Sequence, residues 1–381
     1  MTPAESFFAA RDAAVHGGVD RAALAAHGVD PDAVIDFSSN QAPLGISPAA
    51  REAAGRAVLD AYPDRDAATL AAALARRHNV AASQIVVGNG STELIRLIAQ
   101  LALREGDLAL SLAPSFGEYQ LGTELAHGCF AEHSLTPPPL SLPTGSASSP
   151  GPAQAVATGF LDDHAAFATA LASHHPRLCW ICSPNNPTGA AVAARHIATL
   201  VEAHLDTLFV LDEAYCDLLD APQWTPALLA RGNLIILRSM TKAWGLAGLR
   251  LGYVIADEKL ANPLRTAKPP WNVNACAQAA GLAALADDSW YRRSIDLLRS
   301  GRAELVAGLT AQGWEVLPSA AGFFLIRVGD AAAAREHLLA RGCLVRDCTS
   351  FGLPAHVRVS PRLAEQNRLL LDAFTELAPP R

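Results

Sequence analysis

The sequence predicts an α/β fold: a large unit with a mostly parallel sheet sandwiched by helices, joined to a smaller α+β unit. Three observations carry this. Runs such as LALSLA, LCWIC, TLFVLDEA, NLIILRS and LGYVIA are short and almost wholly apolar, as strands buried on both faces must be. Helical stretches separate most of them, the alternation that parallel strands with right-handed crossovers require. The chain has 381 residues, beyond the size at which single cores stop growing.

The elements follow in order. DAATLAAALARRHNV (66–80) places leucines at helical spacing and predicts an amphipathic helix. QIVVG is then a short strand and STELIRLIAQLAL (91–103) a second helix. The apolar runs above supply the remaining strands. LTPPPLSLPTGSASSPGPAQ (135–154) is rich in Pro, Ser and Gly and reads as an exposed excursion. After AKPPWNVN a long helical stretch (275–311) leads into WEVLPSAAGFFLIRV, a helix, and two short strands at CLVRD and HVRVS. The expected division is residues 45–268 for the larger unit and 1–44 with 269–381 for the smaller.

Composition narrows the function. A net charge of -7 with scattered arginines speaks against a nucleic-acid surface. No apolar run reaches membrane-spanning length. The opening MTPAESFFAARDAAVHGG lacks the basic-then-apolar form of a signal peptide, so the expectation is a cytoplasmic protein. Seven cysteines are an odd count without framework spacing. Cys179 and Cys182 form a C-x-x-C, but inside an apolar run, which reads as strand packing, not as a metal or redox pair.

The chemistry concentrates around a lysine. The chain has only three, Lys242, Lys259 and Lys268, among 30 basic residues. Lys242 sits in SMTKAWGLAGLRLGY, directly after the run NLIILRSM, at the strand end where open α/β sheets bind ligands. A lysine amine can bond covalently to a carbonyl partner. Ser239 and Thr241 offer hydroxyls, and Arg250 offers a bidentate fork for an anion. That set suits a cofactor bearing both an aldehyde and a phosphate, a description that pyridoxal 5'-phosphate meets. VGNGST (87–92) sets glycines at a strand-to-helix turn before Ser91 and Thr92, a ready anion site. SPNNPTG (183–189) would present Asn186 at the sheet edge. VLDEAY (210–215) ends a buried strand in acids, and Asp212 could pair with a protonated pyridine nitrogen.

Taken in order, GNGST, APSFGEY, SPNNPTG, DEAY and SMTK…GLRLGY resemble the class I/II, fold type I aminotransferase family, over nearly the whole chain. The resemblance implies that Lys242 holds pyridoxal phosphate covalently and then moves a proton. It implies that Asp212 pairs the ring nitrogen, that Asn186 and Tyr215 bond the ring oxygen, and that Phe116 stacks on the ring. Gly90, Ser91, Ser239 and Arg250 would cradle the phosphate, with Thr92 and Thr241 beside them. Members are homodimers in which a partner's tyrosine reaches that phosphate, and Tyr62 in AYPD matches it.

Two subgroups fit, histidinol-phosphate aminotransferase and threonine-phosphate decarboxylase of cobalamin biosynthesis. Both act on a small, phosphate-bearing amino compound. VRDCTSFGLPAHVRVSPR matches their shared C-terminal segment, so Arg346 and Arg358 would grip substrate anions, while Arg362 reads as a surface residue. HGG (16–18) followed by IDFSSNQAPLG resembles the decarboxylase, whose N-terminal segment folds over the site. His16, Gly17 and Asn40 are the substrate-side candidates it adds. DEAY, GLAGLRLGY and SFGLP look more like the aminotransferase, and amino transfer is the expected reaction.

Overall fold

The computed structural model describes residues 14–26, 28–134 and 164–380. The predicted excursion at 135–154 lies outside them. Thirteen strands appear among the described residues: β1 (Ile35–Asp36), β2 (Ile85–Gly88), β3 (Leu108–Ala113), β4 (Cys129–Ser134), β5 (Leu178–Cys182), β6 (Leu208–Asp212), β7 (Leu234–Ser239), β8 (Gly252–Ala256), β9 (Glu315–Val316), β10 (Phe324–Arg327), β11 (Cys343–Leu344), β12 (Arg346–Asp347) and β13 (His356–Val359).

Seven of them form the main sheet in the order β2-β8-β7-β6-β5-β3-β4. Strands β3 to β7 pair in parallel, while β8 runs antiparallel to both β7 and β2. Strands β5 to β8 are almost entirely buried, which explains their near-continuous apolar sequences. In this sheet one strand has no counterpart among the apolar runs of the sequence. β4, CFAEHS, is the outer edge and mixes half-buried with exposed positions. A polar edge strand carries no apolar run to announce it.

The two faces of this sheet carry separate cores. Cys179, Ile181, Phe209 and Leu211 point to one face, where the helices Ala68–His78 and Ala275–Ala286 pack. Leu178, Trp180, Cys182 and Val210 point to the other, against the helix Ser91–Ala102. The two cysteines of C-x-x-C therefore face opposite ways, as residues three apart in a strand must. They cannot hold one ion.

A four-stranded antiparallel sheet, β12-β13-β10-β9, carries a third core that includes Phe37, Leu305, Trp314, Phe324 and Phe374. β1 joins this part of the molecule by pairing with β11. The helical stretch predicted over 275–311 is two helices, Ala275–Ala286 and Asp288–Ala311. Asp287 divides them: it leaves the helical region, and its carboxylate accepts from Trp290 N at 3.1 Å. This is the local competition by which aspartate starts helices and weakens their interiors.

Candidate active site

The carboxyl ends of β2, β3, β5, β6 and β7 share one edge of the main sheet, and a cleft of about 450 Å³ opens there. The cleft is lined by fourteen of the residues singled out above: His16, Gly17, Ser91, Thr92, Phe116, Asn186, Asp212, Tyr215, Ser239, Thr241, Lys242, Arg250, Arg346 and Arg358. Three stand apart. Gly90 lies just behind, with the Arg250 guanidinium 2.9 Å from where a Cβ would be. Asn40 sits with Tyr215 and Lys242 around a separate void of about 20 Å³. Tyr62 is 79% exposed and stacks on Trp271, with ring centroids 4.5 Å apart, outside this chain's cleft.

Asp212 is the last residue of β6 and is buried. Its Oδ1 accepts from Ala214 N at 2.9 Å and its Oδ2 from the Tyr119 hydroxyl at 2.7 Å. Burial nonetheless pushes the carboxyl up to about 6, because two hydrogen bonds do not replace full hydration of the charge. A carboxylate in that condition is stabilised by any cation that enters the cleft. Lys242 lies three residues beyond β7, and its Nζ donates to Ser39 O at 3.2 Å. Enclosure by the surrounding protein, with Arg358 and Arg250 nearby, lowers the amine to about 8. Near neutral pH a useful fraction is therefore unprotonated and nucleophilic.

The opposite wall offers hydrogen-bond donors. The helix Ser91–Ala102 begins after Gly90, whose φ of 82° is accessible to glycine at no steric cost. No side chain caps this helix start, so its first amides face outward with the positive end of the helix dipole. Ser239 and Thr241 share a hydrogen bond at 2.7 Å beside Arg250 in the cleft. Arg250 holds a left-handed φ of 56°, a strained backbone for a residue with a Cβ and one that clusters at functional sites.

Arg346 and Arg358 are direct cross-strand partners on β12 and β13. Both are buried. Their guanidinium groups donate to neutral acceptors: Arg346 to Val15 O, His16 O and Ser350 Oγ, and Arg358 to Asn186 Oδ1 and Ser38 O. The Nε of each is buried without a partner, and no carboxylate among the described residues pairs with either. Like charges directly opposite each other in a sheet repel, and burial lowers both guanidinium pKa values. Two buried guanidinium groups so placed can take up an anion at this end of the cleft.

Some partners were not legible in the sequence. Tyr119 closes the APSFGEY stretch, which pointed to Phe116 alone, and its hydroxyl supports Asp212. Glu118 lies in the cleft and pairs with His16. Arg362, expected at the surface, is largely covered instead. It donates to Asp36 O, to Gln41 O at 3.2 Å and to Ser39 Oγ at 3.1 Å. It thereby braces the loop whose Ser39 carbonyl receives Lys242. Loop carbonyls in need of donors exist only in three dimensions, so no pattern in the sequence points to them.

The residues present fit pyridoxal 5'-phosphate. A buried carboxylate with no ion-pair partner among the described residues faces a lysine of depressed basicity, and the uncapped helix start and Arg250 lie alongside. Fold and site together describe an α/β protein whose cleft, at the end of a parallel sheet, sets a lysine where such a cofactor could be held. The family "Aminotransferase class I and II" matches residues 32–374. The chain is 38% identical over 359 residues to "Histidinol-phosphate aminotransferase 1" of Thiobacillus denitrificans, covering 90% of this chain and 85% of that one. It is 37% identical over 346 residues to the histidinol-phosphate aminotransferase of Symbiobacterium thermophilum, covering 90% of each. Among solved structures, the histidinol-phosphate aminotransferase of Sinorhizobium meliloti in complex with pyridoxal-5'-phosphate superposes with a TM-score of 0.79 at 22% identity, over 99% of this chain and 96% of that one. L-threonine-O-3-phosphate decarboxylase of Porphyromonas gingivalis gives 0.70 at 29%, over 89% and 98%. The chain belongs to the class I and II aminotransferases, and it is a pyridoxal-phosphate-dependent enzyme of that family.

Proposed function

We propose that the enzyme transfers the amino group of histidinol phosphate to 2-oxoglutarate. The observation that carries this is the buried, register-paired Arg346 and Arg358, with neutral hydrogen-bond acceptors and no carboxylate partner. Two cations held face to face suit a phosphate dianion in one half-reaction and a second carboxylate in the other. The sequence likeness to the two curated histidinol-phosphate aminotransferases supports the same reading.

In this reading Lys242 binds the cofactor through Nζ, and Asp212, steadied by Tyr119, pairs the ring nitrogen. Asn186 and Tyr215 hold the ring oxygen, and Phe116 covers one face. Gly90, Ser91, Thr92, Ser239, Thr241 and Arg250 hold the phosphate. The bound cofactor supplies a carbonyl carbon and a ring that withdraws electrons. The protein does the rest. Arg346 and Arg358 would orient the substrate so that its Cα–H points at Lys242, whose Nζ would take and hold that proton. Asp212 stays ionised beside the ring cation, which keeps the electron demand high. His16, Gly17 and Asn40 would complete the substrate side.

The assembly proposed is a cytoplasmic homodimer in which Tyr62 serves the neighbouring site. Its exposure beside the exposed Leu59 and Trp271 supports that placement. Residues 45–268 would hold the cofactor, and 1–44 with 269–381 would cover it. The helix Ala275–Ala286, which packs on the larger core, is where that division bends. Among the described residues no helix is long and apolar enough to cross a membrane.

Two assays side by side test the reaction. Oxoglutarate-dependent turnover of histidinol phosphate is expected, and Arg346→Ala or Arg358→Ala should raise its KM about tenfold or more. Release of carbon dioxide from threonine phosphate, with no turnover of histidinol phosphate, would overturn the proposal.

A further inference from the structure

Residues 15–18 cross the mouth of the cleft as a strap, seated at several points. Arg346 donates to Val15 O at 2.9 Å and to His16 O at 3.3 Å. Gly18 N donates to Ser38 Oγ at 2.8 Å. Gly17 lies so close to Ser38 O and the Arg358 guanidinium that a Cβ would come within 2.5 Å of the first and 3.3 Å of the second. The backbone of the strap therefore rests on the two arginines.

One side chain fixes it from the other side. His16 Nε2 bonds Glu118 Oε1 at 2.9 Å, and the His16 ring stands edge-on to Phe116 with centroids 5.7 Å apart. The contrast in burial matters. The His16 side chain is half exposed, whereas that of Glu118 is 4% exposed. A carboxylate at that depth is costly without partners, and among the described residues Glu118 pairs with His16 and with Arg96, the latter at 3.1 Å. Glu118 also opens the helix Glu118–Leu125, where the helix dipole favours an acid. It is thus fixed from behind by Arg96 and by its helix, leaving its second oxygen as an anchor for the strap.

We propose that Glu118 is a positioning residue for substrate selection. By holding His16 it pins the strap over Arg346 and Arg358, so that a phosphate bound there is enclosed. It thereby raises the preference for a phosphate-bearing substrate over its dephosphorylated counterpart. This rests on the reading of the two arginines as the phosphate end of the cleft.

Steady-state kinetics with histidinol phosphate and with histidinol test it, using the wild-type holoenzyme, Glu118→Gln, His16→Ala and the double variant. Glu118→Gln keeps the shape and loses the charge. Its KM for histidinol phosphate should rise about tenfold, a typical loss for a hydrogen bond to a charged group, with a smaller fall in kcat. Its KM for histidinol should move much less. Because Glu118 acts through His16, the double variant should be no worse than His16→Ala alone. Amide hydrogen exchange across residues 15–18 should quicken in Glu118→Gln. Equal shifts in KM for both substrates, or multiplicative losses in the double variant, would overturn the proposal. If the wild type does not turn over histidinol phosphate, the substrate assignment fails on its own. The exchange measurement still decides the anchor, since unchanged protection of the strap in Glu118→Gln overturns it.

Discussion

At the scale of single residues, the cleft holds several charged groups away from their comfortable state. Lys242 is the clearest case. Its amine titrates near 8 in the folded chain, against an ordinary 10.5. Between those values the unfolded chain binds more protons than the native one, so the stability of the cofactor-free protein should rise as pH increases from about 8 to about 10.5. Urea titrations across that window should show the rise in wild type and not in Lys242→Met. Identical pH profiles would mean that the amine is not perturbed. On the chemical side, Lys242→Ala should abolish the absorbance of the lysine-bound cofactor and lower turnover by about a thousandfold or more. A variant that stays coloured and active would remove the lysine from the mechanism. Why a lysine is kept here, in a chain that otherwise prefers arginine, has a physical answer. A guanidinium cannot give up its proton at any workable pH, and an ammonium with depressed basicity can.

At the scale of elements, the geometry depends on how closely β8 passes the turn before the helix Ser91–Ala102. A Cβ on Gly252, the first residue of β8, would lie 2.7 Å from Ser91 N and 2.8 Å from Gly90 C. Both are backbone atoms and cannot swing aside. Gly252→Ala should therefore displace the amides that face the cleft and weaken binding of pyridoxal phosphate about tenfold or more, since small misplacements of a binding frame are costly. Absorbance titration of the cofactor-free variant measures this, and wild-type affinity would show that the turn is not part of the phosphate site. This scale also marks what the sequence could tell. The buried strands β5 to β8 and the glycine turn were legible because burial on both faces and chain reversal each write themselves into composition. The edge strand β4 was not, because half its positions face water. Glu118, Tyr119 and Arg362 were illegible for a different reason. Each acts through a partner far away in the chain, and only the folded backbone brings the two together.

At the scale of the whole molecule, Tyr62 is the residue whose place makes least sense in a single chain. It lies far out on the surface, 79% exposed, yet it belongs to the segment that the family resemblance assigns to the cofactor phosphate. If it serves a neighbouring copy, defects on two chains can cure each other. Chains carrying Lys242→Ala and chains carrying Tyr62→Ala should each be poorly active alone. Refolded together in equal amounts, half of the dimers pair unlike chains, and each of those contains one site with both residues intact. Activity should recover to about a quarter of wild type. No recovery on mixing would confine Tyr62 to its own chain.

The stack beneath Asp212 has one more consequence. Trp180 is fully buried and lies parallel to Tyr119, with centroids 5.1 Å apart and planes within 8°. The Tyr119 hydroxyl in turn holds the carboxylate at the floor of the cleft. An indole locked in one orientation directly under the ligand site is a built-in optical probe. Its ultraviolet emission should be drained by any near-ultraviolet chromophore seated above it. The chain has six tryptophans, so the fraction of their emission lost on filling would report, without a label, how many sites in a solution are filled.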